Sequence, residues 1–290
     1  MINLIKIIKY FLQFVVISLL LLLFKIFGLK ISRFISAKIF TLIGPFFRSN
    51  IITLANIDRA FPGKDKNFKK KITDEMWLMY GKILAEYNFI KDFGEEQFIE
   101  KIEVEGHLEL EKIKNSNEPV IFVSGHFDNF ELMAMYIEKS GINLATIYRP
   151  LNNSFLNPIM EYIRKKHICR NQIKKGISGT KELLKYFKSG TSIALMIDQR
   201  VSEGIKSKFF GEEALTTTIP AQFVKKFSCK IVPIHIERKM NNNFKLSILK
   251  PVDFSKNETL ENITLSLNSI LEKMIIKNPG QWIWTHNRWK

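Results

Sequence analysis

Cysteine is nearly missing from this chain of 290 residues: Cys169 and Cys229 are the only two. They lack metal-ligand spacing and form no disulfide framework, so a reduced, cytosolic setting is expected for the globular part. Several chemical signatures are missing too. No G-x-S-x-G is present, which disfavours a serine acyl-enzyme. No G-x-x-x-x-G-K-[ST] or G-x-G-x-x-G is present, which weakens nucleotide readings. No H-E-x-x-H or Cys/His cluster suggests a metal, and no segment resembles a nucleic-acid-binding module, so neither is expected. Acid is absent from the first 57 residues, Asp58 being the first. Histidine is scarce, with five in all, so its placement carries weight.

What is present is apolar and basic. Nearly half the residues are hydrophobic, which excludes a disordered chain. The 44 Lys+Arg against 28 Asp+Glu give a net charge of +16, a surplus that favours phospholipid headgroups, an acidic carrier protein or nucleic acid, unless it reflects compositional drift toward Lys, Ile, Asn and Phe. From Tyr10 to Phe24 no residue is charged, and Leu19 to Leu23 is unbroken leucine. Residues 8–29 suffice to span a bilayer if Lys25 snorkels to its edge. The run is long for a cleaved signal peptide and no small-residue cleavage site follows, so a retained anchor over residues 1–30 is expected. Lys25, Lys30, Arg33, Lys38 and Arg48 make the C-terminal flank the more positive, which places the rest of the chain on the cytoplasmic side. Residues 31–57 read as a membrane-proximal basic segment. Its apolar positions Ile31, Phe34, Ile35, Ile39, Ile43, Phe46 and Phe47 suit either a helix on the membrane surface or core packing.

Beyond residue 58 the pattern alternates. A helix is predicted over 67–92. Strands are predicted at 119–124, 144–148, 192–197, 230–236 and 245–250, and helices at 129–139, 154–165, 178–188, 218–227 and 258–277. Such alternation argues for an α/β layered domain, here 58–290, around a mostly parallel sheet, with its site at the carboxyl ends of the strands. His126 and Asp198 each follow a predicted strand directly.

The stretch Gly125-His126-Phe127-Asp128-Asn129-Phe130-Glu131 is the strongest chemical candidate. A neutral imidazole accepts a proton near pH 7, and a carboxylate on its second nitrogen fixes its tautomer. If a helix begins just after His126, Glu131 lies about one turn further along and reaches back to it. Asp128 is nearer in sequence and ranks below Glu131. By the residues alone, an active pair and a structural one stand about even.

Six blocks in order then resemble one family, the late (lauroyl/myristoyl-type) lipid A biosynthesis acyltransferases, within the lysophospholipid acyltransferase superfamily. They are Asn56-Ile57-Asp58-Arg59-Ala60-Phe61-Pro62, the block 125–131 (like G-H-F-G-N-W-E, with Asp128 for glycine and Phe130 for tryptophan), Tyr148-Arg149-Pro150-Leu151-Asn152-Asn153, Asp198-Gln199, Phe209-Phe210-Gly211 with Thr216-Thr217-Thr218, and the tail from Trp282 to Lys290. The resemblance covers nearly the whole chain. It implies a layered αβα acyltransferase domain behind one transmembrane helix, in a bacterial inner membrane, single-pass, facing the cytoplasm. His126 would be the general base and Glu131 its orienting carboxylate. The implied reaction moves a fatty acyl group from an acyl carrier protein thioester, a co-substrate and not a cofactor, to a hydroxyl of a lipid A precursor. Arg149, Asp198, Asn129 and Arg164 are the substrate-binding or oxyanion candidates, with Asp198 expected to orient Arg149 or another cation and Arg164 to meet phosphate, the acidic carrier or solvent. Another lipid acceptor, or a non-catalytic membrane tether, are the alternatives.

Overall fold

The computed structural model describes residues 4–290; residues 1–3 of the expected anchor and the side chain of Phe47 lie outside the described residues. The chain opens on α1 (Leu4–Phe47), whose backbone leaves helical geometry at Gly28 (φ 73°, ψ 168°). Among the described residues it is the one helix long and apolar enough to cross a membrane. The stretch before Gly28 is about 36 Å long at 1.5 Å per residue, enough for a hydrocarbon core of roughly 30 Å.

Next come α2 (Asn50–Ala60), α3 (Lys66–Tyr87), and the single turns α4 (Ile90–Phe93) and α5 (Glu96–Ile99). The helix predicted over 67–92 is thus divided between α3 and α4. The second part of α1 packs one face on the chain and leaves the other exposed. One face, with Ser32, Ser36 and Ala37, is buried on α3, while Ile31, Phe34, Leu42, Ile43 and Phe46 stay exposed. The part before Gly28 is also tied to the rest of the chain. Phe24 is fully buried, Asn88 donates to the Leu21 carbonyl, and Asn153 donates to the Tyr10 carbonyl.

The layered part follows as β1 (Glu103–Glu105), α6 (His107–Ser116), β2 (Ile121–Ser124), α7 (Glu131–Lys139), β3 (Leu144–Tyr148), α8 (Asn157–His167), β4 (Asn171–Lys174), α9 (Ile177–Lys188) and β5 (Ser192–Met196). The hairpin strands β6 (Ile205–Phe209) and β7 (Glu212–Thr216), then α10 (Ile219–Phe227), β8 (Ile231–Arg238), β9 (Phe244–Ile248) and α11 (Leu260–Lys277) complete it. Seven strands form one sheet in the order β1-β9-β8-β2-β5-β3-β4. Every pairing in it is parallel except β8 with β9. The α/β class with a mostly parallel sheet is therefore as expected. The central strands β2 and β8 are buried throughout, as strands covered by helices on both faces are.

Register decides the site. Ile121 pairs with Ile193 and Ser124 with Met196. Continued two residues past the strand ends, the same offset sets His126 beside Asp198. The tail then returns across this edge: Phe127 bridges to Trp282 and the Asp128 N–H donates to the Gln281 carbonyl at 2.9 Å.

Candidate active site

His126 sits on the turn between β2 and α7. Gly125 precedes it because nothing larger fits: a Cβ there would lie 2.9 Å from the Phe127 ring and 3.2 Å from Asp198 Oδ2. Asp198, fully buried at the end of β5, grips the turn twice. It accepts the His126 backbone N–H at 2.7 Å and lies 2.8 Å from Nδ1 of the ring. Its Oδ2 also accepts Trp282 Nε1–H at 2.8 Å. The carboxylate fixes the proton on Nδ1 and leaves the Nε2 lone pair free. Nε2 has no hydrogen-bond partner among the described residues and is left to the cavity that His126 lines. Phe130 packs edge-on against the imidazole, centroids 4.8 Å apart.

The electrostatics follow from burial and charge. Burial alone would lower the His126 pKa, but the Asp198 charge and hydrogen bond, with a contribution from Glu131, carry it above the usual histidine value. Burial pushes Asp198 up, and the imidazole and the two N–H donors more than reverse this, so its carboxylate is held below the usual range.

Glu131 does not hold the imidazole. No hydrogen bond joins it to His126 among the described residues. Its Oε1 accepts Nε–H and Nη2–H of Arg164, at 2.8 and 2.6 Å, and the Tyr87 hydroxyl. The reason is where the helix starts: α7 begins at Glu131 itself, so the side chain reaches toward α8 instead of back over a helical turn. Arg164 is thus neither solvated nor free, whereas Lys165 and Lys166 beside it are exposed. Asp198, expected to orient Arg149, bonds His126 instead. Arg149 is exposed at the cavity mouth with no ion pair or hydrogen bond among the described residues.

Asn129 is buried behind the turn and does not line the cavity. Its amide donates to Glu86 at 2.8 Å. Glu86 anchors a buried cluster with Arg33 of α1 and Arg238 of β8. Arg238 also pairs with Asp128 at 2.5 Å. Asp128 stands at φ 35°, a backbone that favours glycine. Its carboxylate is nevertheless satisfied by Arg238 and by the Asn129 N–H at 2.7 Å, which accounts for an acid at this position.

The cavity has a volume of about 720 Å³, in the range of small-molecule sites. Its mouth is basic on balance, with Arg149, Lys175 and Arg200 against Glu203. Its deep wall is one face of the sheet, where the small side chains Ser124, Thr146 and Ala194 leave room above Phe122 and Met196. Met133 and Ala134 of α7 and Ile168, just past α8, close it. Slender side chains over a buried apolar floor make a slot suited to a flexible alkyl chain. His286 also lines the cavity that His126 lines. The tail that carries it is pinned by Asn56, which donates to the Trp284 and His286 carbonyls at 2.8 and 2.7 Å, and by the buried Arg288, which donates to the Leu215 carbonyl and Thr216. Sequence reasoning held no role for His286 and missed Tyr87. The tail block around Trp282 and Trp284 was the available signal for the first. His235 is a core residue, held neutral by burial with its pKa pushed down to about 4. Among the described residues no group of acids, histidines and cysteines could hold a metal ion.

Fold and site together define an α/β enzyme with a carboxylate-held histidine at the mouth of a deep apolar cavity. The sequence matches the family described as "Bacterial lipid A biosynthesis acyltransferase" over residues 3–290. It is 25% identical over 263 residues to the lipid A biosynthesis palmitoleoyltransferase of Escherichia coli (strain K12), covering 89% of this chain and 84% of that one. To the lipid A biosynthesis lauroyltransferase of the same organism it is 23% identical over 243 residues, covering 81% and 77%. To the lipid A biosynthesis acyltransferase of Haemophilus influenzae it is 24% identical over 251 residues, covering 84% and 78%. The chain belongs to the bacterial lipid A biosynthesis acyltransferase family, and it is an acyltransferase.

Proposed function

We propose that this acyltransferase moves a fatty acyl chain from an acyl carrier protein thioester to a hydroxyl of a lipid A precursor. The observation that carries the reading is the His126–Asp198 dyad at the mouth of the apolar cavity, in a chain of this family. The acyl chain lies in the slot and the thioester carbonyl sits near His126. His126 Nε2 takes the hydroxyl proton as the oxygen attacks the carbonyl carbon, and a tetrahedral oxyanion forms. The carbonyl re-forms, the C–S bond breaks, and the leaving thiolate takes the proton back from His126. No acyl-enzyme is needed, in keeping with two cysteines whose thiols burial pushes well up.

Asp198 orients the ring and stabilises the imidazolium. Glu131 adds negative potential that favours proton uptake, and Arg164 and Tyr87 lock it in place. The basic mouth suits phosphate, whether on the carrier's prosthetic arm or on the glycolipid. We assign the first part of α1 to holding the enzyme at a bacterial inner membrane, its exposed apolar face in the lipid and its other face on the rest of the chain through Asn88 and Asn153, with residues 58–290 on the cytoplasmic side. The acid-free, basic flank after the apolar run supports this. The acceptor is then delivered in the plane of the bilayer and the donor from solution.

Mass spectrometry of lipid A from cells with and without the protein tests this reading. Loss of one acyl chain from lipid A on deletion is expected. Unchanged lipid A with an altered phospholipid profile would move the assignment to another acceptor, and wholly unchanged lipids would point to a non-catalytic tether.

A further inference from the structure

The oxyanion of the proposed step needs donors, and none of the residues expected from sequence supplies one cleanly. Asn129 is committed to Glu86. Arg164 is committed to Glu131 and Tyr87. Arg149 is solvent-exposed. His286 is placed differently. The three-residue stretch after β5 holds both cavity histidines, and it holds them in opposite ways. The Asp198 carboxylate lies on Nδ1 of His126. Two residues on, the Arg200 backbone N–H donates to Nε2 of His286 at 3.0 Å.

A ring nitrogen that accepts an N–H cannot itself carry a proton. His286 Nε2 is therefore the unprotonated nitrogen, and a neutral ring must carry its proton on Nδ1. That N–H has no partner among the described residues and is not a buried orphan, and the ring lines the cavity. Burial first, then the neighbouring His126, Arg288 and Lys175 against the attraction of Asp198, hold the His286 pKa below the usual histidine value. Both histidines line one cavity, and their hydrogen bonds leave a lone pair free on Nε2 of His126 and an N–H free on Nδ1 of His286. Asn56 fixes the His286 backbone through its carbonyl, so the donor is preorganised, as electrostatic stabilisation of a developing charge requires.

We propose that His286 is a catalytic residue, whose Nδ1–H donates to the thioester carbonyl oxygen as it becomes the oxyanion. No bond to His286 forms or breaks, and its proton stays on Nδ1 throughout. This rests on the acyl-transfer reading above.

The test uses the two amide isosteres of histidine. In His286→Asn the side-chain amide stands where Nδ1 stood, so the cavity-facing donor is kept and the acceptor for Arg200 is lost. In His286→Gln the amide oxygen can still accept from Arg200, and the cavity-facing donor is lost. Transfer by full-length purified variants is measured with an acyl carrier protein thioester and a lipid A precursor, per mole of protein shown to be folded by its melting temperature. His286→Gln and His286→Ala are expected to lose about 10²–10³-fold in kcat, with little change in KM for the acceptor. His286→Asn should retain at least about tenfold more kcat than His286→Gln. The reverse order, or a Gln variant as active as wild type, would overturn the assignment and leave His286 as a tail anchor. If the wild type hydrolyses the thioester but transfers to no glycolipid, the acceptor reading fails, and the same order read in hydrolysis still decides the role of His286.

Discussion

His126 and Asp198 are 72 residues apart in sequence and meet because β2 and β5 pair in parallel with that same offset. The consequence is a histidine whose basicity is set mainly by a contest between burial, which lowers its pKa, and the Asp198 carboxylate, which raises it. Only the neutral ring can act as base. Because the carboxylate wins, the acid limb of kcat/KM against pH should lie above the usual histidine value of 6.5. In Asp198→Asn the raising charge is removed and burial remains, so the limb should shift to lower pH. The rate on the plateau should fall by roughly 10²–10⁴-fold, since the ring loses its fixed tautomer. An acid limb that stays in place in Asp198→Asn, with Glu131→Gln moving it instead, would return the orienting role to Glu131. At this scale His126 was legible in sequence as the candidate base, because a rare histidine followed a strand and a glycine. Its partner was not: spacing alone suggested Glu131, and only strand register brings up Asp198.

Among the elements, the contact of α1 with α3 ties the apolar N-terminal helix to the site. A Cβ at Gly81 of α3 would meet the Ser36 carbonyl and stand 2.6 Å from Ala37 Cα. At an exposed helix position Gly→Ala stabilises by about 1 kcal/mol through helix propensity. Here the backbones approach too closely, and Gly81→Ala should destabilise by about 1–3 kcal/mol, seen as a lower melting temperature in detergent. An unchanged or raised melting temperature would mean that α1 is not seated on α3 as described. Arg33 carries the same connection further, through Glu86 and Arg238 to Asp128 on the turn that carries His126. The elements that sequence identified are the strongly apolar ones: β3 and β5 fall at or within one residue of their expected bounds. Those it missed are polar or short. Asn171-Gln172-Ile173-Lys174 is the sheet-edge strand β4, and the hairpin β6–β7 alternates lysine and glutamate with buried positions. Edge and hairpin strands take their stability from pairing, which composition does not reveal.

The whole molecule combines an apolar N-terminal helix, a net charge of +16 and a cavity with a basic mouth and an apolar floor. Each matches one demand of moving an acyl chain from a soluble acidic carrier to a lipid: attachment to the membrane, attraction of anionic partners, and shelter for the chain during transfer. The most direct test is mass spectrometry of a lipid A precursor incubated with purified enzyme and an acyl carrier protein thioester. Wild-type protein should add one acyl chain to the glycolipid, and a folded His126→Ala variant should do so roughly 10²–10⁴-fold more slowly or not at all. Acylation by His126→Ala at close to the wild-type rate would contradict the account.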